Sequence, residues 1–198
     1  RAIMGENFFG VEEAMKHFGV QPTEPEITFF SEIPWSSEVL VARRNTHILV
    51  AVFPLSVDDI CRKAKNLFFT SRLGWGYGGH YFRKEKGEIS WELVRKTPMR
   101  KSVGKPLASV WDTKSKNLEV PNLRILVYAK IGHFLASGKW LFLRSGVLSH
   151  NSILDSDAPG QYWGQARIYL LAGKGINMSH QHDDKYKPGI GVAGVLKK

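Results

Sequence analysis

The chain has 198 residues, the size of one domain, and its 43% hydrophobic content is enough to build a core. No apolar run approaches the roughly 18 residues of a membrane-spanning helix, and the single cysteine, Cys61, excludes an intramolecular disulfide and a multi-cysteine zinc site. The net charge of +10 is uneven: residues 1–60 carry 4 Lys/Arg against 9 Asp/Glu, residues 61–130 carry 16 against 5, and residues 131–198 carry 8 against 4.

The opening RAIMGENFFG lacks the basic, apolar and small-residue order of a secretory leader, and with one cysteine a cytoplasmic location is the expectation. Gly10–Phe18 reads as a helix, with Val11, Met15 and Phe18 on one stripe, Glu12 and Glu13 at its positive end and Gly19 as its cap. The prolines of QPTEPE mark a linker, and the acidic stretch Glu24–Glu38, with Phe29, Phe30, Ile33 and Trp35, is expected to form a lid or edge on the core.

His47–Pro54 is apolar and β-branched, a buried strand. Ser56, followed by Asp59, opens a helix whose buried stripe is Val57, Ile60, Cys61, Ala64 and Leu67. Cys61 on that stripe is structural, since no His or Asp is placed locally to activate it. The glycine-rich Leu73–Tyr81 lacks the Lys-Ser/Thr of a phosphate-binding loop and reads as an aromatic loop.

In Glu88–Arg95, Ile89, Trp91 and Leu93 alternate with Ser90, Glu92 and Val94, a half-buried strand. Lys96–Lys116 is expected to be a long basic surface loop carrying Arg100, Lys101 and Lys105. Pro121–Ser137 fits a helix that begins on Pro121 and ends at Gly138, while its run Ile125–Tyr128 passes equally for a strand.

From Lys139 onward, strand-like pieces alternate with polar loops: Trp140–Leu148, Gln165–Leu171, Ile176–Gln181 and Gly189–Leu196. A two-residue period separates Ala166, Ile168 and Leu170 from Arg167, Tyr169 and Leu171, and Ile176 and Met178 from Asn177, Ser179 and Gln181. The sum is a single α+β domain with a mostly antiparallel sheet: an acidic lobe over 1–60, a basic middle over 61–138 and a β-rich display region over 139–198.

Three chemistries compete for the site. His180 and His182, with Asp183 or Asp184, carry the residue types of a divalent-metal site for a hydrolase or nuclease, with His150, Asp155 and Asp157 as further ligands; as a loop tip running into Lys185, the same stretch reads as solvated histidines. Glu85, Glu88, Glu92 and Asp112 are too scattered for acid–base work, and no Gly-x-Ser-x-Gly motif occurs. Nucleic acid is the partner to expect for the cations of 62–130, interleaved with Trp75, Tyr77, Tyr81, Phe82, Trp91 and Trp111.

The third is recognition without catalysis, and no cofactor is expected. Ser149–Ser152, Gln161–Trp163, Arg167–Leu171, Asn177–Tyr186 and the closing Gly189-Ile190-Gly191-Val192 give residues 139–198 a layout that resembles the C-type-lectin-like variable proteins of diversity-generating retroelements. The family's usual Gly-Gly-Ser-Trp is absent. The resemblance implies a C-type-lectin-like scaffold that displays diversified positions to a protein or cell-surface ligand. The matching positions are Ser149, His150, Asn151, Ser152, Tyr162, Trp163, Asn177, Ser179, His180, His182, Asp183, Asp184 and Tyr186. Tyr and Trp give contact area at small entropic cost, and Ser, Asn, Asp and His give adaptable hydrogen bonds.

Overall fold

The computed structural model describes residues 1–68, 83–105, 118–142, 146–154, 162–171, 175–181 and 190–196. It is an α+β fold organised on one helix, α5 (Leu123–Ser137), in which every residue from Leu123 to His133 is buried. A helix apolar all round has no solvent face and must be covered on all sides. Here β strands of two sheets, together with α1 (Val11–Phe18) and α4 (Val57–Lys63), pack against it.

The helical ends follow capping chemistry. Asn122 accepts from Ile125 N at 2.9 Å and Gly138 closes α5 at φ 71, so the helix alternative prevails over a strand at Ile125–Tyr128. Ser56 and Asp59 exchange bonds of 3.0 and 3.1 Å at the start of α4, as expected. In α1 the stripe is rotated from its expected position: Ala14 and Phe18 are buried, and Met15 is exposed.

The expected linker is in part a helix, α2 (Glu24–Ser31), followed by α3 (Ser37–Arg43). Pro25 lies in the first turn of α2, where no backbone N–H is required, and Glu26 accepts from Thr23 N at 2.8 Å. Phe30 anchors α2 on Phe53 and Trp91, with ring centroids 4.9 and 5.4 Å away.

The first sheet has the order β1 (Phe8–Phe9), β2 (His47–Val52), β3 (Ser90–Arg95), β9 (Val195–Leu196), β4 (Leu118–Glu119). All six residues of β2 are buried, as its composition requires. In β3 Val94, expected on the outer face, is buried with Trp91 and Leu93, so this part of the sheet is covered on both faces. The second sheet has the order β7 (Gly175–Gln181), β6 (Tyr162–Leu171), β5 (Gly146–Leu154), β8 (Ile190–Val192).

Three expectations near the C-terminal half are corrected. The first strand begins at Gly146 rather than Trp140, because Trp140 stacks on Phe134 at 3.9 Å and Leu141 and Phe142 are buried, closing the end of α5. The closing segment is two strands rather than one: β8 pairs in parallel with β5, and after Ala193 and Gly194 the chain crosses to pair β9 with β3 and β4. The basic loop is pinned, in its described part, alongside β8: Met99 N donates to Val192 O, Gly104 N to Ile190 O, and Val192 N to Ser102 Oγ, each at 2.8 Å.

Candidate functional site

The second sheet collects most of the residues singled out from the sequence. Ser149, His150, Asn151 and Ser152 lie within β5 rather than in a loop, because the strand pairs with β6 from Val147 to Leu154, with register shifts at Leu148/Ser152 and Ile153/Leu154. Ser149 is fully buried along with Val147, which removes it from any outer surface. Tyr162 and Trp163 open β6, and Asn177, Ser179 and His180 lie in β7. His182, Asp183, Asp184 and Tyr186 lie outside the described residues, as do Leu73–Tyr81, Trp111, Asp112, Asp155 and Asp157.

The β6–β7 register is unbroken over seven pairs. Ile168 pairs with Met178 and Leu170 with Ile176; Ile168, Met178 and Ile176 are buried, and α5 packs against β5 and β6. Ala166–His180 falls in step with these pairs. The alternate pairs are Gln165–Gln181, Arg167–Ser179 and Tyr169–Asn177. On a pleated strand the two sets belong to opposite faces.

The ionisable residues of α5 escaped the sequence reading. Arg124, Lys130 and His133 sit in an otherwise apolar run, and that interruption is the signal that could have found them. Arg124 donates to Phe53 O at 3.2 Å, and burial lowers its pKa. Lys130 is fully buried, donates to Leu141 O, and lies 5.7 and 5.2 Å from the ring centres of Trp140 and Phe142. Burial alone pushes its pKa down to about 7.

One turn on, His133 Nδ1 lies 2.7 Å from Lys139 O, which places the proton on that nitrogen. Its Nε2, the unprotonated nitrogen of the neutral ring, lies 3.3 Å from Asn7 Oδ1, and that oxygen accepts from Lys96 Nζ at 3.1 Å. Burial lowers the His133 pKa; the Lys139 carbonyl opposes that shift, Lys96 adds to it, and Glu6 opposes it. Lys130, His133 and Ser137 together fasten the turn 139–142, in which Phe142 adopts φ 56. These contacts build the corner from which the chain proceeds to the second sheet.

A cleft of about 420 Å³ is lined by Asp58, Cys61, Arg62, Lys65 and Arg83. Arg83 Nε donates to Asp58 at 2.9 Å, and Arg62 pairs with Asp59. Burial raises the Cys61 thiol to about 12, with Arg83 acting in the opposite sense, so the thiol stays protonated at neutral pH. Around the cleft Arg62, Lys63, Lys65, Lys84 and Lys86 are exposed. Among the described residues no three His, Cys, Asp or Glu side chains could hold a metal ion together, and no helix is long and apolar enough to cross a membrane.

Fold and site define an α+β protein with a polar row on its C-terminal sheet and a basic surface around α4. No family model and no solved structure matches the chain. The alanine–tRNA ligase of Cutibacterium acnes (strain DSM 16379 / KPA171202) is 30% identical to it over 95 residues. That stretch covers 48% of this chain and 10% of the ligase, so the likeness spans about a tenth of the relative's length.

Proposed function

We propose that the chain is a non-enzymatic binding protein that recognises a protein or cell-surface molecule through the outer row of β6 and β7. The observation that carries the reading is the alternation of Gln165–Gln181, Arg167–Ser179 and Tyr169–Asn177 with pairs whose described apolar members are buried. A row of Gln, Arg, Tyr, Asn and Ser combines an aromatic anchor with adaptable hydrogen-bonding groups. Changes there leave the buried row intact, which is what a diversified surface requires. The test screens a glycan and cell-surface-protein array with the wild-type chain and with Arg167→Ala/Tyr169→Ala/Asn177→Ala. A bound species that the triple variant loses at least tenfold, with unchanged circular dichroism, is the expected result; a species held equally by both chains refutes the assignment.

A second reading, nucleic-acid binding, is favoured by the exposed cations around α4 and by the tRNA in the name of the Cutibacterium acnes relative. It requires affinity for a labelled single-stranded RNA that falls steeply with salt, because phosphate contacts release counterions. Arg62→Glu/Lys65→Glu abolishes that binding under this reading, and the triple variant of the sheet leaves it intact.

A further inference from the structure

α2 is held on the fold by one buried residue, Phe30, and its other large apolar side chains, Ile27 and Phe29, are exposed. With Val41 of α3 they make three of the five large apolar side chains left exposed among the described residues. The charge here is equally one-sided. Residues 17–42 contain four glutamates and no Lys or Arg, in a chain of net charge +10. Residues 1–60 hold nine carboxylates, and the five outside this stretch are each ion-paired: Glu6, Glu12, Glu13, Asp58 and Asp59. Among the described residues no cation pairs with Glu24, Glu26, Glu32 or Glu38, and Glu26 is committed to the cap of α2 through Thr23 N.

At roughly 100° per residue, Phe30 faces the core and Thr28 faces away from it, with Glu24 one turn before Thr28 and Glu32, at the C-cap, one turn after. Ile27 and Phe29 flank Thr28. The outward side of α2 is thus an apolar pair set between two carboxylates that stand about 12 Å apart along the axis. We propose that this side of α2 docks a cationic amphipathic helix of another protein, with Lys or Arg about two turns apart and apolar residues between them. Charge selects the occupant. Unpaired carboxylates repel phosphate-bearing ligands and anionic membrane surfaces, and no three acidic, His or Cys side chains among the described residues could hold a metal ion together. A helix with cations eight residues apart sets them over Glu24 and Glu32 and covers Ile27 and Phe29 with the side chains between. None of the described helices of this chain presents two exposed cations at that spacing, so the partner is a foreign one.

A library of synthetic helical peptides of about 16 residues, each with two Lys eight apart around two Leu and the other positions varied, supplies the probe. Fluorescence anisotropy with the full chain reads the binding at low and high salt. The expected result is a set of binders whose affinity falls as salt rises, and that Glu24→Lys/Glu32→Lys weakens by about tenfold or more. Phe29→Ser weakens them likewise with unchanged far-ultraviolet circular dichroism, because Phe30 stays as the anchor. The double Glu variant leaves both rings in place and decides the question even where Phe29→Ser fails to fold. Arg167→Ala/Tyr169→Ala/Asn177→Ala keeps the peptides, which separates this face from the row of β6 and β7. A library without a single binder, equal binding by the wild-type and Glu24→Lys/Glu32→Lys chains, or equal binding of peptides with Glu in place of Lys overturns the proposal. So does self-association of the wild-type chain that Phe29→Ser abolishes, which would assign the face to a second copy.

Discussion

Lys130 is the residue whose chemistry departs furthest from its surroundings. Among the described residues no carboxylate lies beside its ammonium, which there has a carbonyl and two ring faces in exchange for its hydration. Its pKa falls from 10.5 to about 7, so between those values the unfolded chain binds more protons and stability climbs with pH. Below pH 7 both states are charged and the curve is flat for this site. Lys130→Met removes the cost of burying that ammonium and should stabilise the chain at pH 7, by a few kcal/mol at most, since even whole buried ion pairs gain only ~1–4 kcal/mol on replacement by apolar side chains. Urea midpoints between pH 7 and 10 check it: the wild-type rise should be reduced in the variant. His47 acts at the acid end. Burial first, then Arg43, Arg95 and Lys96, push its pKa to about 4, and among the described residues Nε2 has no partner. The unfolded imidazole takes its proton near 6.5, so stability contributed above that pH is lost as the pH falls to 4, on the order of 3 kcal/mol. His47→Leu should flatten that decline.

At the level of elements, the ends of helices were legible and their stripes were less so. Ser56 with Asp59, and Gly19 and Gly138, mark their boundaries through local hydrogen bonds and local φ, which depend on a few adjacent residues. Gly138→Ala tests this: at φ 71 a Cβ is strained, and the variant should lose about 1 kcal/mol, read as a lower urea midpoint with unchanged slope. Ser56→Ala should cost a similar ~1 kcal/mol, since Asp59 N loses its acceptor. Which side of α1 is buried depends on what lies above it, and Met15 against Ala14 could not be ranked without α5. Pro25 misled for a related reason, because proline stops a helix from within and opens one from its first turn. The strand β5 was displaced by the aromatic corner: Trp140, Leu141 and Phe142 have strand composition, but α5 recruits them as its cover. The buried Lys130 and His133 fasten that corner, and their trace in the sequence is that they interrupt an otherwise apolar run.

Across the whole molecule the decisive contacts are those farthest apart in sequence. The alternation in β6 and β7 was readable, because a period of two is written in adjacent residues. The division of the closing segment between two sheets was not, because β8 and β9 find their partners in β5, β3 and β4. This segment ties the sheets to each other, with Gly191 at the tightest point. A Cβ there would lie 2.9 Å from Pro98 Cβ, 3.0 Å from Ser102 Oγ and 3.1 Å from Val103 Cγ2. Gly191→Ala must push the segment 98–103 away from β8, and Ser102 is the residue whose Oγ accepts from Val192 N. Overpacking of this kind costs about 1–3 kcal/mol. The consequence should reach both sheets, because β9 follows β8 by two residues and holds the edge of β3. Thermal unfolding followed by tryptophan fluorescence, with Trp91 in the first sheet and Trp163 in the second, and by far-ultraviolet circular dichroism should give one coincident transition in the wild type. In Gly191→Ala the transition should move to lower temperature as a unit. Two separated transitions would show that the sheets fold independently and that the crossing at Ala193 and Gly194 is a tether without energetic coupling.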